Sequence, residues 1–105
     1  MGWRIEWTRT SLRDLESIHN YIALDSPRYA AITVDRINKM AESLELFPRG
    51  GAIVREFDRE DIRQKLVGNY RLIYHLVDDR IVILGVIHGA RDLIPLWSRE
   101  NRTPP

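Results

Sequence analysis

Cysteine is absent from this 105-residue chain, which rules out a disulfide framework and a thiolate metal site. Long apolar runs are missing too. The longest, residues 81–87, is far short of the roughly 20 residues that a membrane-spanning helix needs. Histidine is sparse, and His19, His75 and His88 stand too far apart for a zinc motif, so neither metal nor cofactor is expected. No sign of charge dominates. Residues 1–48 hold six Lys/Arg and seven Asp/Glu and residues 49–105 hold ten and eight, giving −1 and +2 and the net +1. That balance excludes a general nucleic-acid binder coated in positive charge, so any anion recognition must be local. The opening MGWRIEW lacks a charged stretch followed by an apolar one, so no secretory leader and a cytoplasmic location are expected.

The composition present is that of one globular domain. Apolar residues make up 44% and charged residues 30%, in a chain long enough for a single core. Trp3, Ile5 and Trp7 alternate with Arg4 and Glu6, which predicts a first strand. Thr8 or Ser11 can cap a helix, and Ser11-x-x-Asp14 has the form of a capping box with Asp for Glu. Leu12, Leu15, Ile18, His19 and Ile22 follow as one helical stripe. Ser26-Pro27 then caps a second helix, whose stripe is Ala30, Val34, Ile37, Ala41 and Leu44. Pro48 to Gly51 end it. Strands are expected at 52–57, 62–67, 70–77 and 81–88, with the charged residues 55–61 forming a solvated loop. Residues 92–97 are expected as a last strand or turn at the sheet edge, and 99–105 as a loose tail after a single domain of residues 1–98. The order β-α-α-β-β-β predicts an α+β fold, an antiparallel sheet packed against an N-terminal helical hairpin.

Cations lie inside or beside the last three apolar runs, at Arg63, Lys65, Arg71 and Arg91. An unpaired buried cation costs several kcal/mol, which suggests a surface that holds an anion or acidic partner. Turn geometry decides whether they converge. A plain two-residue turn at Gly68-Asn69 sets Lys65 opposite Leu72 and sends Arg71 to the other face. A three-residue connection with a glycine bulge sets Val67 opposite Arg71 and gathers Arg63, Lys65 and Arg71 on one face; this is the expectation preferred here. The alternative for Arg71 is a structural ion pair with Glu42, Glu45 or Glu56. His75 reads as an exposed strand residue and His88 as a turn histidine or a proton-transfer group. Leu93, Ile94, Leu96 and Trp97 read either as closing the sheet edge or as a partner-binding patch.

The chain resembles the RelE/ParE superfamily, the toxins of bacterial toxin–antitoxin pairs. The resemblance runs from IEWTRTSLRDLESIHNYI through SPRYAA and LELFPRGG to NYRLIYHLVDDRIVILGVIHGARDL, nearly the whole chain. Its most specific pieces are Tyr70-Arg71-Leu72-Ile73-Tyr74 and His88-Gly89-Ala90-Arg91-Asp92. The superfamily has two branches: RelE-like toxins cut messenger RNA on the ribosome, and ParE-like toxins poison DNA gyrase. The resemblance carries the RNase branch's phosphate-contacting basic residues onto Arg63, Lys65, Arg71 and Arg91, and its C-terminal tyrosine onto Trp97, which has no ionisable hydroxyl. The HGARDL ending and the long helical hairpin are more like the ParE branch.

The resemblance therefore implies a ParE-like toxin that inhibits gyrase by binding and is neutralised by a cognate antitoxin. Arg63, Lys65, Arg71, Arg91 and Trp97 would meet the target, and Leu93, Ile94, Leu96 and Trp97 the antitoxin. The alternative is a ribosome-dependent messenger-RNA endonuclease. In that reading Arg71 and Arg91 stabilise the phosphorane and His88 takes the place of the absent tyrosine in proton transfer, with Trp97 stacking on a base. A third reading is a scaffold that keeps the fold without activity.

Overall fold

A computed structural model describes residues 2–104. Strand β1 (Arg4–Trp7) leads into helix α1 (Arg9–Ala23) and helix α2 (Pro27–Ser43). Thr8, not Ser11, is the N-cap of α1: its Oγ1 accepts the Ser11 N–H at 3.0 Å, and the buried Ser11 hydroxyl donates to the Thr8 carbonyl at 2.7 Å. No capping box forms, because the Asp14 carboxylate bonds elsewhere. Ser26 caps α2 by accepting the Tyr29 N–H at 3.1 Å, with Pro27 in the first turn, as the Ser-Pro pair predicts.

Strands β2 (Ala52–Ile53), β3 (Ile62–Val67), β4 (Tyr70–Val77) and β5 (Arg80–His88) follow, and helix α3 (Leu93–Glu100) ends the fold. The sheet order is β1-β5-β4-β3-β2. The α+β class stands as read, but the sheet is mixed: β1 runs parallel to β5, while the other pairs are antiparallel. Parallel neighbours need a long crossover, and here the helical hairpin and the β2–β4 meander supply it. Strand β2 is shorter than expected, since the N–H groups of Phe57 and Asp58 fold back onto the Val54 carbonyl.

The hairpin face of the sheet buries Leu72, Tyr74, Ile81, Ile83 and Val86 against Ile37, Ala41 and Leu44. The stripe on α1 is narrower than its sequence implies, because Leu12 points to solvent. The second face buries Val54, Ile62, Ile73, Leu84 and Ile87 beneath Leu93, Leu96 and Trp97 of α3. The expected edge strand or turn at 92–97 is therefore a helix. Its buried residues are spaced i, i+3, i+4, but a run this short does not distinguish a helix from a strand.

The segment after α3 is tied to α1 through Arg102. The Arg102 side chain is only 6% exposed and forks onto Asp14 of α1, with Nη1–Oδ2 at 2.7 Å and Nη2–Oδ1 at 3.0 Å. It also bonds Glu100 and lies over the Trp97 ring, 4.8 Å from its centroid. Gly85 of β5 leaves room for this stack, since a Cβ there would lie 2.5 Å from Arg102 Nη1 and 2.7 Å from Trp97 Cη2.

The β3–β4 connection settles the cation question. Val67 pairs with Tyr70 and Lys65 with Leu72, so Gly68-Asn69 is a plain two-residue turn, with Gly68 at φ 58° in the first central position. The preferred glycine bulge is wrong, and the sheet's irregularity lies between β4 and β5, at Ile73/Tyr74.

Candidate functional site

That register divides the basic residues between the two faces. Arg63 and Lys65 sit on the hairpin side. The Arg63 guanidinium bonds the carbonyls of Gly51 (3.0 Å), Arg49 (3.4 Å) and Glu60 (3.0 Å), which makes it a clamp on the α2–β2 loop. Lys65 lies beside the same loop, near Gly50. Arg71 points to the second face and is 12% exposed. Its Nη1 and Nη2 fork onto Glu56 at 2.9 Å each, and its Nε donates to Gln64 Oε1 at 2.6 Å. Of the three carboxylates expected as possible partners, Glu56 is the one used. The Arg71 guanidinium holds the Glu56 carboxyl below the usual carboxylate range. The three cations therefore do not form one patch.

Two more residues singled out in the sequence, His75 and the expected site residue Trp97, are withdrawn from solvent. His75 is mostly covered rather than exposed, with Nε2 2.9 Å from Asp61 Oδ2. Asp61 is gripped by Arg59 at 3.0 and 2.7 Å. Its carboxyl lies below the usual range, first because of Arg59 and then with help from His75, against the opposing effect of burial. Trp97 is buried between Arg102 and Phe57, whose ring centroid is 6.1 Å away, so neither ring face is free to stack on a base. Leu93 and Leu96 are core residues as well. Of the four expected antitoxin contacts only Ile94 is exposed.

His88 and Arg91 do come together. They line an open cleft of about 1030 Å³ between α1 and the β5–α3 loop, with Thr10, Arg13, Ser17 and Tyr21 on the α1 side. Tyr70 forms its floor and meets the His88 ring edge-on at 5.5 Å. The Tyr70 phenol is pushed up by burial, reinforced by Tyr29 and Tyr21. The Ala90 N–H donates to His88 Nδ1 at 3.1 Å, so the neutral ring carries its proton on Nε2. The cleft's carboxylates are already occupied. Asp14 takes Arg102 and the Val86 N–H (3.0 Å), and Glu100 takes Arg102. Its cations Arg13 and Arg91 make no side-chain hydrogen bond or ion pair among the described residues. Free donors beside satisfied acceptors suit an anionic or acidic partner.

Sequence reasoning missed Arg13, Tyr21 and Tyr70 as cleft residues, and Asp14 with Arg102 as its frame. One signal was available: Arg13, Ser17 and Tyr21 recur at steps of four, which marks a polar edge along α1.

The architecture is that of a RelE/ParE-type toxin. The chromosomal ParDE system of P. aeruginosa aligns with a TM-score of 0.69 at 22% identity, covering 82% of this chain and 95% of that one. A free-state mutant of E. coli toxin RelE aligns at 0.68 and 14% identity, over 98% and 100% of the two chains. The toxin–antitoxin complex RelBE2 of Mycobacterium tuberculosis aligns at 0.58 and 29% identity, over 84% and 99%. Toxin RelE2 of Caulobacter vibrioides is 31% identical over 88 residues, 84% of this chain and 97% of that protein. The family described as ParE toxin of type II toxin-antitoxin system, parDE, matches residues 5–93. The chain belongs to this family and is the toxin of a type II toxin–antitoxin system. No helix among the described residues is long and apolar enough to cross a membrane.

Proposed function

We propose that this toxin arrests growth in the cytoplasm by binding DNA gyrase, with no bond-breaking chemistry of its own, and that a cognate antitoxin holds it inactive. The observation that carries this reading is the division of the basic residues. Cleavage of RNA needs cations, an acid and a base around one phosphate. Here Arg63 is turned to a loop, Arg71 is held by Glu56 on the opposite face, and Trp97 is buried. Arg13, Arg91 and His88 instead share an accessible cleft, a surface suited to docking. Ile94, three residues past Arg91, is the expected antitoxin contact that stays exposed for that partner.

The alternative, a ribosome-dependent endonuclease, would keep only His88 and Arg91 of its three expected catalytic residues. Two assays separate the readings: supercoiling by purified gyrase with added toxin, and primer-extension mapping of messages after induction. Inhibited supercoiling with intact messages is expected. Codon-phased cuts with normal supercoiling would overturn the gyrase reading. Co-expression of a short adjacent reading frame, if it encodes the antitoxin, should restore growth.

A further inference from the structure

Residues 55–61, between β2 and β3, carry four acidic side chains and two arginines in a seven-residue loop. Strand β4 presents two basic groups on the second face of the sheet, Arg71 and His75, and this loop supplies the carboxylate that sits on each. Glu56 forks onto Arg71 with both distances at 2.9 Å, and Asp61 meets His75 Nε2 at 2.9 Å. The Arg71 pair is bidentate, the mode a phosphate would adopt on the same guanidinium. The loop is anchored, not draped. Phe57 packs against Trp97, Arg59 donates to the Pro104 carbonyl at 2.7 Å, and the Asp61 carbonyl accepts the Leu76 N–H at 2.8 Å.

We infer that this loop is a built-in counter-charge: Glu56 and Asp61 occupy the positions that an oxyanion would take on β4, and so bar polyanions from the second face. The loop determines anion specificity whatever the cellular target is. It covers Arg71 but not Arg13 and Arg91, which stay open to a partner in the cleft, and it hides a latent polyanion site that neutralising two carboxylates would uncover. Glu56→Gln retains a hydrogen-bond acceptor for Arg71 while removing the charge that competes with phosphate.

The test measures binding of a fluorescein-labelled 20-nucleotide single-stranded RNA to the full chain by fluorescence anisotropy over a salt series. Wild type should bind weakly. Glu56→Gln with Asp61→Asn should bind about tenfold tighter at low salt, with a log–log salt slope steeper by about 1 for each cation uncovered. Adding Arg71→Ala should cancel most of that gain. Glu42→Gln with Glu45→Gln makes the same change in net charge on exposed residues of the hairpin, and should give little gain. If the loop double variant is poorly folded by circular dichroism, Glu56→Gln alone carries the test, with a smaller gain that still depends on Arg71. A gain equal to that of the hairpin control, or one that survives loss of Arg71, would overturn the proposal. So would RNA affinity unchanged in a folded Glu56→Gln chain.

Discussion

Replacing Arg102 with alanine should loosen the fold more than any other change outside the apolar core. The guanidinium is 6% exposed and makes two hydrogen bonds to Asp14, which is itself 15% exposed. Burial alone would disfavour its charge, but its bonds to Asp14 and Glu100 outweigh that and raise its pKa. Removing one partner of a buried pair costs about 3–5 kcal/mol. Asp14 keeps the Val86 N–H and faces an open cleft where water can reach it, which argues for the lower end. Loss of the cation–π contact with Trp97 adds about 0.5–1 kcal/mol. A total of about 3–4 kcal/mol corresponds to a fall in Tm of roughly 12–30 °C for a domain of this size. Thermal and urea unfolding followed by circular dichroism measure it. In a double-mutant cycle with Asp14→Asn, the two losses should fall short of additivity by about 2 kcal/mol. Gly85→Ala should give a comparable loss by forcing Arg102 off Trp97. A loss below about 1 kcal/mol for Arg102→Ala, or additive effects with Asp14, would refute the view that this contact ties α3 and the tail to α1.

Four further outcomes are expected. Tyr74→Phe should cost about 1–3 kcal/mol by urea denaturation, because the buried hydroxyl donates to the Pro48 carbonyl at 2.8 Å and accepts the Gly51 N–H at 2.9 Å, and both would be orphaned. The carboxyls of Glu56 and Asp61 are held below their unfolded values. Their contribution is therefore complete above the ordinary carboxylate range and is lost as pH falls through the lowered native values; urea midpoints should drop between about pH 5 and pH 2, less steeply in Glu56→Gln. Arg91→Ala should lower toxicity in growing cells with a Tm close to wild type, since its exposed side chain holds nothing in place. Arg71→Ala should lower Tm by leaving Glu56 without its counter-charge; a growth assay paired with thermal unfolding checks both variants.

Most of the fold was legible because local and global signals agree in the first two-thirds of the chain. Ser26-Pro27 and the stripe from Ala30 to Leu44 can be read only as a capped helix with one buried face. The strands from Ile62 to His88 are likewise bounded by turn residues. Three features were not legible, for physical reasons. The side to which Arg71 points rests on a single residue of turn length, and a one-residue change of register moves every side chain to the opposite face. The state of residues 92–97 depends on whether the second face of the sheet needs a cover, which no local pattern records. The role of Arg102 comes from a contact 88 positions away in sequence, made possible by a missing side chain at Gly85. A lone arginine in a Pro-rich tail carries no trace of that contact.

Both faces of this sheet are closed by the chain itself, and that fixes where recognition costs least. An acidic partner approaching Arg71 must displace Glu56, which is tethered a few residues away and competes at an effective concentration in the millimolar range or above. It must also strip water from a guanidinium already 12% exposed and fully engaged on its forked side. At Arg13 and Arg91 no internal bond has to break before a partner carboxylate arrives, and Tyr21 adds apolar area at the same rim. Charge complementarity at such a rim favours rapid encounter and selection among partners more than raw affinity. A toxin that must meet one target and one antitoxin, in a cell full of nucleic acid, is served by that arrangement: two open cations, Arg13 and Arg91, share one cleft, and the strand arginine best shaped for phosphate is closed by its own loop.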